Sequence, residues 1–421
     1  MGFIIRVWDI VQRMSMREYD VIVIGTGPAG LFCAANLAPL KVLILEKMKL
    51  PGRKLLLTGS GQCNLTHAGD IKSFTANYGD HGNFVKPALM ACSNEMVMDF
   101  FEERGVPVVM NDSGKVFPAS FLADDVLDAL LNSCDEAAVE IYYSEAAKSI
   151  TQHENGYTVS TLLGKYHARC VVIASGGMSY PGTGSTGDGY DLAQSLGHTI
   201  VPPEPSLTPV YVADHWLSDL SGISLPVKVS IWHEGKKSIT RDGDLLITRF
   251  GYSGPVILDA SRWMRAGDLL KIAFTPVSPE DVDALLKERT AESGGKQIQN
   301  LLSGLSCPDR LIRALVDESG IPEGTTGGQL TAKMRVALVQ NLTAFPVMIE
   351  RVGDFLVAMC TAGGVPLSEI NKKTCESKIA PGVFFAGEVM DLDGDTGGYN
   401  LQAAFSTGFI VAKSILKTLC A

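Results

Sequence analysis

"VIVIGTGPAGLFCAANLAPLKVLILEK", Val21 to Lys47, is the stretch whose reading decides the fold. The β-branched run Tyr19–Ile24 predicts a strand ending at Gly25, and Leu31–Leu37 is helix-like. Gly25, Gly27 and Gly30 therefore fall on a strand-to-helix turn with dinucleotide-binding spacing. Gly25 permits the tight turn, and Gly27 lets backbone approach a pyrophosphate. Pro28 and Ala29 open the helix, and Gly30 allows close helix–strand packing. The helix N-terminus supplies amide donors and a positive dipole end to the phosphates. A second strand, Lys41–Leu45, ends in Glu46 with Lys47 behind it. That acid comes roughly twenty residues after the first glycine, where a carboxylate takes ribose hydroxyls. This motif alone does not separate a nicotinamide from a flavin dinucleotide.

The bulk properties narrow the class. A chain of 421 residues predicts two or three domains. Its net charge of −10 argues against nucleic acid or an anionic membrane as partner and leaves a small-molecule substrate. No apolar run approaches the roughly 18 residues of a membrane span. Nine cysteines without a Cys-x-x-Cys pair fit reduced thiols in a cytoplasmic protein. Seven histidines without H-E-x-x-H give no reason to expect a metal. The first eighteen residues, MGFIIRVWDIVQRMSMRE, lack a signal-peptide cleavage site. They read as an N-terminal extension, with a start at Met14 or Met16 as an alternative. The sequence does not indicate an oligomeric state.

A second formal match, Gly182-Thr-Gly184-Ser-Thr-Gly187, follows "GGMSYP" rather than a strand and lacks a strand-ending acid. It reads as a glycine-rich active-site loop before the helix Tyr190–Leu196. One dinucleotide fold without a second favours a flavin. Three further stretches support that choice. In "PGRKLLLTGSGQCNLTH", Pro51 to His67, Arg53 and Lys54 are cationic donors, and Thr58, Gly59, Ser60 and Gly61 form a small-residue turn that admits a planar ring. Loop chemistry alone also explains that turn. Cys63 reads as a packing residue, having no resolving partner nearby. The strand Arg169–Ala174 runs into Ser175 and Gly176 at a sheet's carboxyl end, where ligands bind. Finally, Val383–Ala386 ends in Gly387 and Glu388, whose carboxylate reaches ribityl hydroxyls. Gly397, Gly398, Tyr399 and Asn400 then open an apolar helix at Leu401, whose amides suit a flavin's pyrimidine edge.

Together these stretches resemble the NAD(P)/FAD-dependent flavoproteins that include aminoacetone oxidase and the bile-acid Δ4,6-reductase BaiN, the YhiN-like family. The resemblance runs from Tyr19 to Lys413. Its carriers include "GRKLLLTGSGQCNLTH", "KVFPAS", "SYPGTGSTGDGYDLA", "LLITRFGYSGP", "TAGGVPLSEI" and "GEVMDLDGDTGGYNLQAAFSTG". It implies tightly bound FAD, contacted among others by Asn64, in a Rossmann-like α/β domain built from two segments around an inserted β-barrel and a small helical subdomain. Cys375 stands where the family tends to have Met, and Arg249 where His is common. The latter puts a copied substrate assignment in doubt.

Between the flavin stretches "VPPEPSLTPV", Val201 to Val210, holds four prolines and reads as a domain crossing. The expected organisation is an extension over 1–18, an FAD domain over 19–200 and 355–421, and an inserted domain over 201–354. Within the insert, short strands over 206–278 suggest a small antiparallel sheet or barrel, the resemblance implies a barrel over 206–278 and 342–354, and 279–341 reads as helical. Phe355–Met359 looks strand-like. "GYSGP", Gly251–Pro255, lacks the closing glycine of a nucleophile elbow. "DLDGDTGG", Asp391–Gly398, lacks the full ligand series of a calcium loop.

The expected protein is thus an FAD-dependent oxidoreductase passing hydride through flavin N5. An NAD(P)H-driven reductase of an unsaturated carbonyl compound is preferred, because a large insert suits a bulky substrate. A flavin oxidase of a small amine and a non-catalytic flavin sensor are the alternatives. Tyr180, Arg249, Tyr252 and Tyr399 are candidate acids or bases, each more simply read as structural.

Overall fold

The computed structural model describes residues 17–213 and 215–420, so the extension read over 1–18 lies outside it except for its last two residues. Two compact units emerge. One is built from the chain up to Glu204 and again from Met359, the other from Pro205–Ala358.

The first unit is built on a seven-stranded sheet. Its parallel part runs Glu140–Tyr142, Val42–Leu45, Arg17–Ile24, Lys165–Ile173 and Val383–Phe385. The hairpin Ser149–His153 with Gly156–Ser160 pairs antiparallel to the start of Lys165–Ile173. Val21, Ile22, Val23, Leu43 and Ile44 are wholly buried, as continuous aliphatic runs covered on both faces must be. Register sets where the strands end. Ile24 pairs with Leu45 on one side and Ile173 on the other, and Phe385 pairs with Ile173. Four strands therefore finish at one level, and Gly25, Glu46, Ala174 and Ala386 all leave the sheet along the same carboxyl edge.

Helix Pro28–Ala35 packs against the long C-terminal helix Tyr399–Leu419. Phe32 meets Phe405 at 5.2 Å between ring centroids. The closest approach is at Gly408, where an added Cβ would lie 2.5 Å from the Ala29 carbonyl oxygen.

The second unit holds a closed six-stranded barrel of Val210–Val212, Gly251–Ser253, Lys236–Ile247, Ser224–His233, Leu269–Ala273 and Phe345–Val352. Helices Pro279–Ser293, Asp309–Glu318 and Ala332–Thr343 share its hydrophobic core. Two sequence expectations need correction here. The stretch expected to hold only strands contains the helix Pro255–Ala260. Gly254, at φ 89°, turns the chain, and Pro255 starts the helix, so "GYSGP" is a helix entry. Phe355–Met359 is a turn, because the Asp354 side chain accepts the Leu356 amide at 3.0 Å and its carbonyl accepts the Ala358 amide at 2.9 Å. Among the described residues no helix is long and apolar enough to cross a membrane.

Gly408→Val should force the two helices apart. The expected cost is about 1–3 kcal/mol, typical of over-packing, read as a lower urea midpoint. An unchanged midpoint would mean that this contact does not set the helix spacing.

Candidate active site

At the common strand edge the chain makes a contact that only glycine allows. Gly25 sits at φ 107°, and a Cβ there would lie 2.6 Å from the Ala174 carbonyl oxygen. A Cβ on Gly30 would collide with the Gly25 carbonyl, so Gly30 serves packing. Gly27 has nothing nearer than 4.0 Å to its added Cβ, which leaves its backbone open to a ligand.

A single cavity of the first unit gathers most of the residues singled out in the sequence. Its wall includes Gly25, Gly27, Pro28, Ala29, Glu46, Lys47, Arg53, Lys54, Thr58, Ser175, Gly176, Gly387, Glu388, Asn400 and Leu401. Gly30, Gly59, Gly61, Asn64, Gly398 and Tyr399 are not in it. Gly30 packs inside its helix, and the other five shape neighbouring turns and the start of the C-terminal helix. Gly59 and Ser60 are both left-handed, at φ 57° and 58°. With its amide oriented to satisfy its neighbours, Asn64 donates to the carbonyls of Thr66 and Val116 and accepts the Gly398 amide at 3.0 Å. A Cβ on Gly398 would lie 2.5 Å from the Thr66 backbone, so strand packing demands this glycine. Tyr399 stacks on His67 at 5.3 Å with the rings 12° apart.

Glu46 is 8% exposed, and its carboxylate is oriented by three donors. Thr26 gives its amide at 2.9 Å and its hydroxyl at 2.5 Å, and the Met48 amide gives a third bond at 2.7 Å. Lys54 donates to both Glu388 oxygens, at 2.9 and 2.7 Å, and to the Ser179 hydroxyl at 2.5 Å. Glu388 also accepts the Thr361 amide at 2.9 Å and the Ser179 hydroxyl at 3.1 Å, so three separated segments meet on its carboxylate. Lys47 binds Thr186 and Asp188, each at 2.5 Å. Burial opposes charge on Asp188, but the hydrogen bonds from Lys47 and Thr186 outweigh it and hold that carboxyl below its usual range.

Sequence reasoning missed several wall residues. Thr26, Ala146, Ala147, Asp188, Cys360 and Leu392 also face the cavity, whereas Thr183, Gly184 and Ser185 of the wall belong to the glycine loop that the sequence had singled out. Thr26 lay inside the glycine motif and Asp188 beside the second glycine loop, so position could have flagged both. Ala146 and Ala147 carry no chemical signal. The candidate acids and bases do not converge, since none of Tyr180, Arg249, Tyr252 and Tyr399 lines the cavity. Tyr252 is 1% exposed in the barrel core, and burial pushes its hydroxyl upward. Cys63 is buried and its thiol is pushed up to about 12, the state of an inert packing residue.

The cavity fits a dinucleotide. It offers an open glycine turn at a helix start and an acid at the next strand end. Residues 19–414 match the HI0933-like protein Rossmann domain. The chain belongs to that family. It is a family of FAD-dependent oxidoreductases, and this chain is such an enzyme. The ribosomal RNA dihydrouridine synthase of Escherichia coli (strain K12) is 30% identical over 406 residues, 95% of this chain and 99% of that protein. The 3-dehydro-bile acid delta(4,6)-reductase of Clostridium scindens is 28% identical over 404 residues, 93% of this chain and 98% of that protein. Among solved structures, the 3-ketosteroid delta1-dehydrogenase of Sterolibacterium denitrificans shares the fold at a TM-score of 0.51 and 13% identity. That match covers 96% of this chain and 100% of the other.

Glu46→Ala should remove a charge-assisted acceptor worth about 1.5–3 kcal/mol. FAD affinity should then fall roughly ten- to hundredfold in a titration of apoprotein. Acid should release FAD from the parent protein without covalent residue. An unchanged dissociation constant would take Glu46 out of the site.

Proposed function

We propose that the protein reduces a carbon–carbon double bond conjugated to a carbonyl, with NADH or NADPH as the electron donor. One observation carries this reading: relatives with different named substrates share that bond change. Dihydrouridine is uridine saturated at a double bond conjugated to a ring carbonyl, and a Δ4,6-reductase of a 3-dehydro steroid acts on double bonds conjugated to a ketone. Bound FAD supplies hydride transfer.

The chain's own residues hold the cofactor and shape its surroundings. The turn Gly25–Gly27 and the helix start at Pro28 present amides and a positive dipole end to a pyrophosphate. Glu46, held by Thr26, would accept hydrogen bonds from the ribose hydroxyls. Glu388 is kept in place by Lys54 and Thr361. Leu401, at the start of the long C-terminal helix, would supply backbone donors to the pyrimidine edge of a bound flavin. Apolar Leu45, Leu392, Ala403 and Ala404 exclude water from the same wall.

The net charge of −10 favours a small uncharged enone as substrate. Uracil within ribosomal RNA is the second reading, favoured by the names of two relatives at 30% and 31% identity.

Anaerobic rapid mixing tests the proposal. NADH or NADPH should bleach the flavin, and the reduced enzyme should be reoxidised by a steroid 4,6-dien-3-one or by unmodified ribosomal RNA. The faster of the two should exceed the blank by about tenfold or more. Reoxidation by O2 alone, after reduction by a small amine, would replace the reductase with the oxidase.

A further inference from the structure

Among the described residues, the charged members of the cavity wall are Glu46, Lys47, Arg53, Lys54, Asp188 and Glu388. Three carboxylates thus meet three cations in a chain whose net charge is −10. Lys54 and Glu388 are joined through both carboxylate oxygens, Nζ lying 2.9 Å from Oε1 and 2.7 Å from Oε2. Their side chains are only 22% and 21% exposed, so salt and water screen them less than a surface pair. The carboxylate is also fixed from behind. Its Oε1 accepts the Thr361 amide and the Ser179 hydroxyl, and a Cβ added at Gly177 would lie 2.8 Å from the same atom. Thr361 Oγ1 accepts the Met178 and Ser179 amides at 2.8 and 3.1 Å, which ties that backbone to the same point. Glu388 therefore cannot swing out of the wall when its cation is removed.

We propose that Lys54 is a positioning residue for electron transfer, which sets the reduction potential of bound FAD by cancelling the charge of Glu388. Two electrons and one proton delivered to FAD, from a donor oxidised by two electrons, add one negative charge to the cavity. A bare carboxylate in this wall opposes that charge, and a bare ammonium favours it. Both effects exceed those in bulk water, because the apolar wall lowers the local dielectric. Paired, the two cancel. A purely structural tether behaves otherwise, since removing either partner then loosens the same contact and has no dependence on sign. The proposal rests on bound FAD and not on which substrate the reduced enzyme takes.

The test measures the potential of FAD-loaded parent, Lys54→Met, Glu388→Gln, Lys54→Arg and the Lys54→Met/Glu388→Gln double variant by equilibration with reference dyes. Oxidised and reduced FAD are also titrated into each apoprotein. Lys54→Met should lower the potential by about 30 mV, a tenfold change in the two-electron equilibrium. Reduced FAD should then bind about tenfold more weakly relative to oxidised FAD. Glu388→Gln should raise the potential by a similar amount, and the double variant and Lys54→Arg should return to the parent value. Single variants that shift in the same direction overturn the proposal. So do single variants that keep the parent potential while their melting temperatures fall. If Lys54→Met does not hold FAD, Glu388→Gln decides alone, and a potential at or below the parent value overturns the proposal. Dye equilibration needs no natural substrate, so its outcome is separate from success or failure of the reductase reading.

Discussion

The approach of Gly25 to the Ala174 carbonyl is the constraint on which the rest of the site depends. A Cβ at 2.6 Å from that oxygen is impossible, so glycine is required where the first strand turns into its helix. The same approach fixes the turn against the end of Lys165–Ile173 and leaves Gly27 facing open space. Strand register then brings Glu46 and Gly387 to the same edge. No side chain needs to reach far. The sheet has already placed the reactive stretches side by side.

Around this edge, charge is arranged in closed pairs. Lys54 is committed to Glu388 and Ser179, and Lys47 to Asp188 and Thr186. Such half-buried pairs hold their segments in register more than they add stability, because desolvation offsets much of the Coulombic gain. Glu388 in particular joins residues 54, 179 and 361, which lie far apart in sequence. Lys54 thus acts first on a protein carboxylate, a role that its sequence reading as a cationic donor does not contain.

Much of the fold could be read from local pattern. The strand–glycine–helix–strand run predicted the Rossmann-type core, and the short strands with intervening turns predicted an antiparallel sheet or barrel, which the family resemblance narrowed to a barrel. The misreadings were local: a helix entry at Gly254–Pro255 hidden in strand-like surroundings, and an Asp-capped turn at Asp354. The site was legible where chemistry forces a residue type, as at Gly25, Glu46 and Glu388. It was illegible where contact is made by backbone, as at Ala146 and Ala147, or where a glycine answers to a neighbouring strand, as Gly398 does to Thr66.

The central claim is that the Gly25–Gly30 turn is the cofactor's pyrophosphate site and that the glycine-rich loop Gly182–Gly187 is not. A crystal structure of the FAD-loaded protein measures this directly. The account predicts pyrophosphate oxygens on the amides of the first turn and ribose hydroxyls on Glu46. Density placing the pyrophosphate on the Gly182–Gly187 loop, with Glu46 still bonded only to Thr26 and Met48, would contradict it.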